Sequence, residues 1–196
     1  MCIWIVERLV RNRAPVSSRL FFAIIGLAIA AFACGGDSGA VENTDYPYGA
    51  KFIDYQGLDH LQPGDLAVEY NSNPPTSGPH AASLAPWAVA DTPIAIDVAV
   101  HNMEHGGVVI WYNCDGGMSV HSEEWCDGLR SDLSAIVQPL IDDGGRIVLT
   151  PYPDMIDVIA LTAWQHVDGF YTFNEERIRT FIDEFECRFD PEDACA

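Results

Sequence analysis

The chain has 196 residues, of which 48% are hydrophobic, and a formal net charge of −19 at pH 7. This length and apolar content suffice for one domain with its own hydrophobic core. The negative charge argues against nucleic acid as a partner and against direct binding to anionic lipid headgroups, because phosphate would be repelled.

Residues 1–34 have the pattern of a bacterial export signal: arginines, then an apolar run at 20–33 that is short for a membrane span of about 20 residues. Ala31-Phe32-Ala33-Cys34-Gly35 resembles a lipoprotein cleavage site, at which Cys34 becomes the lipidated first residue. We therefore expect an exported cell-envelope lipoprotein, in the periplasm or at the outer membrane or cell surface, that contacts the membrane through its lipid. An ordinary secreted protein cut nearby is the alternative.

The region from residue 35 to residue 100 has no single dominant secondary-structure pattern. Residues 35–50 are typical of a flexible tether, and 51–196 are predicted to form a single globular domain. Local patterns there predict a strand at Leu66–Tyr70, a Pro- and Gly-rich loop at Asn71–Pro79, a short helix within Ala81–Ala90, and either a strand or an irregular approach at Ile94–Val100.

The second half has clearer periodicity. β-Branched and aromatic residues predict a strand at Gly107–Tyr112, and apolar residues at helical spacing predict a helix at Leu129–Asp142. Further strands are predicted at Arg146–Thr150 and from Ile159 to Trp164 or beyond, and Asn174 is a predicted cap of a last helix. We expect a compact α+β domain with a mixed or antiparallel sheet and two main helices.

Four cysteines remain once Cys2 and Cys34 are assigned to the signal and the anchor, and an even number in an exported protein indicates disulfides. Of the three possible pairings we favour the local ones, Cys114–Cys126 and Cys187–Cys195. A cysteine-based metal site is disfavoured because the sequence has no Cys-x-x-Cys motif.

The candidate metal-binding side chains are concentrated in His101-Asn102-Met103-Glu104-His105 and in the loop that ends at His80. Imidazole is the commonest metal ligand of proteins, and a thioether biases a site towards copper. His101 and His105 can chelate one ion if they lie on a helical turn, whereas in a strand they would be about 13 Å apart. His60 and Met155 are further candidate ligands.

Two other interpretations use the same residues. His101-x-x-Glu104-His105 matches the inverted zinc-peptidase pattern, with Glu104 as general base, but Gly106-Gly107 follows at once and those sites lie within long helices. A histidine pair at this spacing also occurs without any ligand, as surface residues or as hydrogen-bonding groups of a buried turn.

At these motifs the chain resembles a bacterial family known as domain of unknown function 3105. The shared features are Tyr70-Asn71-x-Asn73-Pro74-Pro75-Thr76-Ser77-Gly78-Pro79-His80, His101-Asn102-x-Glu104-His105-Gly106-x-Val108-Val109 and Ala160-Leu161-Thr162-Ala163-Trp164. The resemblance implies an exported protein in which His80, Glu104 and His105 share one site with His60 and Met155. Family members commonly have an aliphatic residue at the position of Met103, which argues against Met103 as an essential ligand.

The sequence thus predicts a lipid-anchored envelope protein that binds a transition metal, copper before zinc, for metal carriage, homeostasis or electron transfer. The predicted ligands are His80, His101 and His105, with His60 or Met155 completing the set. Glu104 is predicted to orient one of the histidine ligands by a hydrogen bond, or to cap the turn. A zinc-dependent hydrolase and a non-catalytic structural or partner-binding envelope protein are the alternatives, so enzymatic activity stays open.

Overall fold

The computed structural model describes residues 46–117 and 121–195. The predicted signal, Cys34 and most of the predicted tether therefore lie outside the described residues. Within the described part, none of the helices is both long and apolar enough to span a bilayer.

The core is a five-stranded mixed sheet with the strand order β1-β5-β4-β2-β3. β2 and β3 run parallel and are connected by helix α2, while the other neighbouring strands pair antiparallel. The elements are β1 (Lys51–Phe52), α1 (Ile96–Glu104), β2 (Val108–Tyr112), α2 (Glu123–Asp142), β3 (Ile147–Pro151), β4 (Ile159–Ala163), β5 (His166–Phe170) and α3 (Glu175–Phe185). The α+β class and the mixed sheet are confirmed.

The two faces of the sheet are buried by different elements, because alternate residues of a strand point to opposite sides. On one face, strand residues such as Ile110 and Leu161 pack with apolar residues of α2 and α3. On the other face, Val109 and Trp111 pack with residues of α1. The candidate site lies on the α1 side.

Both predicted disulfides are present, Cys114–Cys126 and Cys187–Cys195. The predicted cap of the last helix is also confirmed: the Asn174 side chain accepts a hydrogen bond from the main-chain N–H of Arg177 at 2.9 Å. Tyr46, placed by the sequence within the tether, is buried between Phe181 and Phe185, so the folded part begins before Lys51.

Two local predictions are wrong, and one of the two alternatives for a third segment is excluded. Leu66–Tyr70 is not a strand, because the segment pairs with no strand among the described residues and Leu66 is exposed to solvent. Ala81–Ala90 contains no helix, since its main chain instead pairs with the edge of β3 through Ala88, Ala90 and Leu149. A strand at Ile94–Val100 is replaced by α1, whose Ala99, Val100 and Met103 face the sheet at helical spacing.

Candidate metal centre

Helix α1 presents two kinds of side chain at its C-terminal end. Met103 packs into the apolar layer on the sheet, whereas His101, Glu104 and His105 contact the loops that cover the helix. The helix ends because Gly106 adopts φ +76°, a left-handed conformation that favours glycine. The helical turn that the histidine spacing required is therefore formed.

A long loop supplies the other two histidines. Its segments around His60 and His80 are joined by main-chain hydrogen bonds, from the Leu61 N–H to the His80 carbonyl at 2.7 Å and from the His80 N–H to the Asp59 carbonyl at 3.0 Å. The Tyr70 hydroxyl donates to the Pro79 carbonyl at 2.9 Å and braces the same turn. These bonds hold both rings over α1.

Three imidazoles form a nearly equilateral triangle. The ring centroids are 5.0 Å apart for His60 and His80, 4.9 Å for His60 and His101, and 5.0 Å for His80 and His101. Three imidazoles bound to one tetrahedral ion through nitrogens about 2 Å away would have their centroids about 5 Å apart. The spacing of the rings is thus compatible with a tris-imidazole metal site, and it is also an ordinary distance between rings in contact.

Glu104 completes this set, which we call the inner cluster: His60, His80, His101 and Glu104. One ligand atom from each residue lies within 4.8 Å of the others. The Glu104 Oε2 atom is 2.8 Å from His80 Nε2 and 3.8 Å from His60 Nε2, and the Glu104 side chain is fully buried. The carboxylate therefore lies among the imidazoles, at hydrogen-bonding distance from His80.

The hydrogen bonds of His80 indicate that a proton or a cation lies between His80 and Glu104. Its Nδ1 is 2.7 Å from the Gly78 carbonyl oxygen, which can only accept, so Nδ1 carries a proton. In the neutral ring Nε2 then presents a lone pair to the Glu104 carboxylate. Two lone pairs at this distance repel unless a proton or a metal cation lies between them.

Two more atoms of the inner cluster lack hydrogen bonds. Glu104 Oε1 and His101 Nδ1 are buried and have no partner among the described residues. A buried polar atom without a partner costs about 1–3 kcal/mol, and more when it is charged. A bound cation would compensate this cost, because it would neutralise the carboxylate and draw on the free imidazole lone pairs.

The lowered pKa of His101 favours the neutral imidazole, which is the form that binds metals. Burial lowers this pKa below the ordinary value of 6.5, and the imidazoles of His105, His80 and His60 lower it further, while Glu192 opposes the shift. His101 is therefore a neutral imidazole near pH 7, and the neutral ring is the metal ligand.

His105 belongs to a neighbouring group, which we call the outer cluster: His101, His105 and Glu192. The His105 Nε2 atom is 2.8 Å from Glu192 Oε2, and its ring centroid is 4.7 Å from that of His101. Sequence reasoning missed Glu192. The available signal was the acidic segment between Cys187 and Cys195, which the disulfide folds back onto the end of α1.

Met155 is buried in the apolar layer that also contains Trp111 and Trp164. Trp164 borders the inner cluster, with its ring centroid 6.4 Å from that of His80. The converging atoms of the two clusters are nitrogens and oxygens. The role of Met155 as a ligand stays a prediction.

The family comparison agrees with the motifs. The model of a family described as "Protein of unknown function (DUF3105)" matches residues 62–196. The chain belongs to this DUF3105 family. The matched range includes every residue of the two clusters except His60. Neither the curated proteins nor the solved structures contain a match to this DUF3105 protein.

Proposed function

We propose that this DUF3105 protein binds one divalent transition-metal ion in the inner cluster and carries or stores that ion at the cell envelope. The observation that carries the proposal is the triangle of imidazoles, with centroids 4.9–5.0 Å apart, around a fully buried carboxylate. An ion there would meet three nitrogens and one oxygen, which is a common tetrahedral ligand set.

The donor atoms suit copper and zinc alike. Imidazole binds both metals, and the thioether that favoured copper in the sequence is not needed to complete four ligands. Met103 is fully buried in the apolar layer, which removes one of the two thioethers from consideration. We therefore propose Cu²⁺ or Zn²⁺ and leave the choice to metal analysis.

The hydrolase alternative is less well supported by this geometry. A peptidase of this kind needs both histidines of the motif on one zinc and the glutamate free as a base. His101 and His105 do share one cluster with Glu192, but Glu104 contacts His80 and is closed off from solvent. This burial supports a role for Glu104 in binding an ion rather than in activating water.

Metal content tests the proposal. We expect about one Cu²⁺ or Zn²⁺ per chain by mass spectrometry, and a loss of most of it in His60→Ala and Glu104→Gln. His60 is a suitable position because its side chain is 37% exposed, so its truncation leaves the core intact. His121→Ala, beside Trp125 at the start of α2, is the matched control and should keep the metal.

An ion-free protein, before and after loading, would contradict the proposal. The cluster would then be an imidazolium–carboxylate contact between His80 and Glu104 that holds the loop on α1. If the cluster has only this structural role, His60→Ala should change the free energy of unfolding by the same amount with and without added metal, and so should Glu104→Gln.

The envelope location is tested separately. Lipidation at Cys34 would place the protein in the membrane fraction, and Cys34→Ser should move it to the soluble fraction while its metal content stays the same. A protein that remains in the soluble fraction with Cys34 intact would contradict the lipid anchor and leave the metal site unaffected.

A further inference from the structure

The outer cluster is assembled by the C-terminal disulfide loop. The Cys187 N–H donates to the Gly106 carbonyl at 2.8 Å, and Arg146 Nη1 donates to the His105 carbonyl at 2.9 Å. Gly106 permits this close packing, since a Cβ there would lie 2.5 Å from Cys195 Sγ. The loop is thereby seated on the end of α1, and Glu192 reaches His105.

The two clusters differ in their access to solvent. The outer side chains are open, with 21% of His105 and 41% of Glu192 exposed, whereas Glu104 and His80 are fully buried. An exposed carboxylate attracts cations from solution. A metal ion bound at the outer cluster would keep coordination positions open to water. The outer cluster therefore has the character of a site that captures and releases an ion.

His101 is common to both clusters. Its ring is largely buried, its Nδ1 has no hydrogen-bond partner among the described residues, and its centroid lies within 5.0 Å of those of His60, His80 and His105. A neutral imidazole has one free lone pair, so it binds one ion at a time. Occupation of both clusters by ions that each use His101 is therefore excluded.

We propose that His105 and Glu192 form an outer position through which the metal ion enters and leaves the inner cluster, with His101 as the shared ligand. This proposal rests on the proposed function of the inner cluster. One ion per chain would exchange between the two positions: in the outer position it is held by His105, Glu192 and His101. In the inner position His60, His80 and Glu104 replace His105 and Glu192.

The test is the rate of metal exchange in the full chain. Zn²⁺ uptake, and its release to an excess of a chromogenic chelator, would be followed by stopped flow for wild type, Glu192→Gln and His105→Asn. We expect both rates to fall by about tenfold or more, the scale on which a local charge changes the capture of an ion. The equilibrium content should remain one Zn²⁺ per chain.

Glu124→Gln is the matched control, because it removes one exposed negative charge at the start of α2 and should leave both rates unchanged. Rates for Glu192→Gln equal to those of this control would overturn the proposal. The ion would then enter and leave past the exposed His60. Two ions in wild type and one in Glu192→Gln would also overturn it, because the outer cluster would then be an independent site. A wild-type protein without any metal would instead refute the proposed function.

Discussion

Replacement of Glu104 by glutamine should remove most of the stabilisation that a metal ion gives this protein. Glu104 is the only carboxylate among the described residues of the inner cluster, and its Oε2 lies 2.8 Å from His80 Nε2. The amide keeps the shape of the side chain and loses the charge that would face the cation. Loss of a residue that only hydrogen-bonds a ligand costs about 10–100-fold in metal affinity, so loss of a charge that faces the ion should cost about 100-fold or more.

The size of the effect on thermal unfolding follows from mass action. An ion at about 100 times its Kd stabilises the wild type by about 2.7 kcal/mol. For a domain of this size the Tm should then rise by roughly 5–11 °C. If the Kd of Glu104→Gln is about 100-fold higher, the same ion concentration contributes only about 0.4 kcal/mol, or roughly 1 °C.

The assay is differential scanning calorimetry with and without Zn²⁺ or Cu²⁺ for wild type, Glu104→Gln and the control Glu124→Gln. The quantity compared is the metal-induced change in Tm, so any effect of a substitution on the metal-free protein cancels. An undiminished shift in Glu104→Gln would refute the reasoning, since the buried carboxylate would then not face the ion.

Four further outcomes are expected. Because the pKa of His101 is lowered from 6.5 in the folded protein, the unfolded chain binds more protons, and the metal-free protein should lose stability as the pH falls below about 6.5. Urea unfolding against pH would show this loss, and His101→Gln should reduce it. Tyr70→Phe should cost about 1 kcal/mol of unfolding free energy, because it removes the bond to the Pro79 carbonyl. The phenol of Tyr70, whose pKa burial raises to about 12, should ionise only above the usual range in an absorbance titration, and an ordinary value would contradict its burial. Gly107→Ala should destabilise the fold in the same urea assay, because its Cβ would lie 2.5 Å from Trp87 Cζ3, and an unchanged midpoint would show that Trp87 moves freely.

The sheet and the later helices could be predicted from the sequence because their signals are local. The run of β-branched and aromatic residues at 108–112 is a strand buried on both faces, and Asn174 with its following acidic residues caps α3. Helix α2 begins at Glu123, ahead of the predicted Leu129, because its first two turns are largely exposed and lack the apolar period.

The region between β1 and α1 could not be predicted because its conformation depends on distant partners. The side chain of Asn102 exchanges two hydrogen bonds with the main chain of Ala85, and Ala88 and Ala90 pair with Leu149. The local pattern at 81–90 contains no trace of these contacts. The tertiary pairing replaces the short helix that the alanines suggested.

The candidate site was predictable in its parts and not in its grouping. The helical spacing of His101 and His105 correctly required a helical turn, and the two rings share one cluster with Glu192, whereas His80 groups with His101 and Glu104 and not with His105. The position of Glu192 depends on the Cys187–Cys195 disulfide and on contacts with residues far away in the chain. Sequence spacing alone cannot contain that information.

X-ray absorption spectroscopy at the metal edge of the loaded protein tests the central claim most directly, because it counts the ligand types around the ion. The account predicts three imidazoles and one oxygen, with nitrogen at about 2.0–2.1 Å for Zn²⁺. A sulfur ligand at about 2.3 Å, or an ion surrounded by oxygen alone, would contradict it.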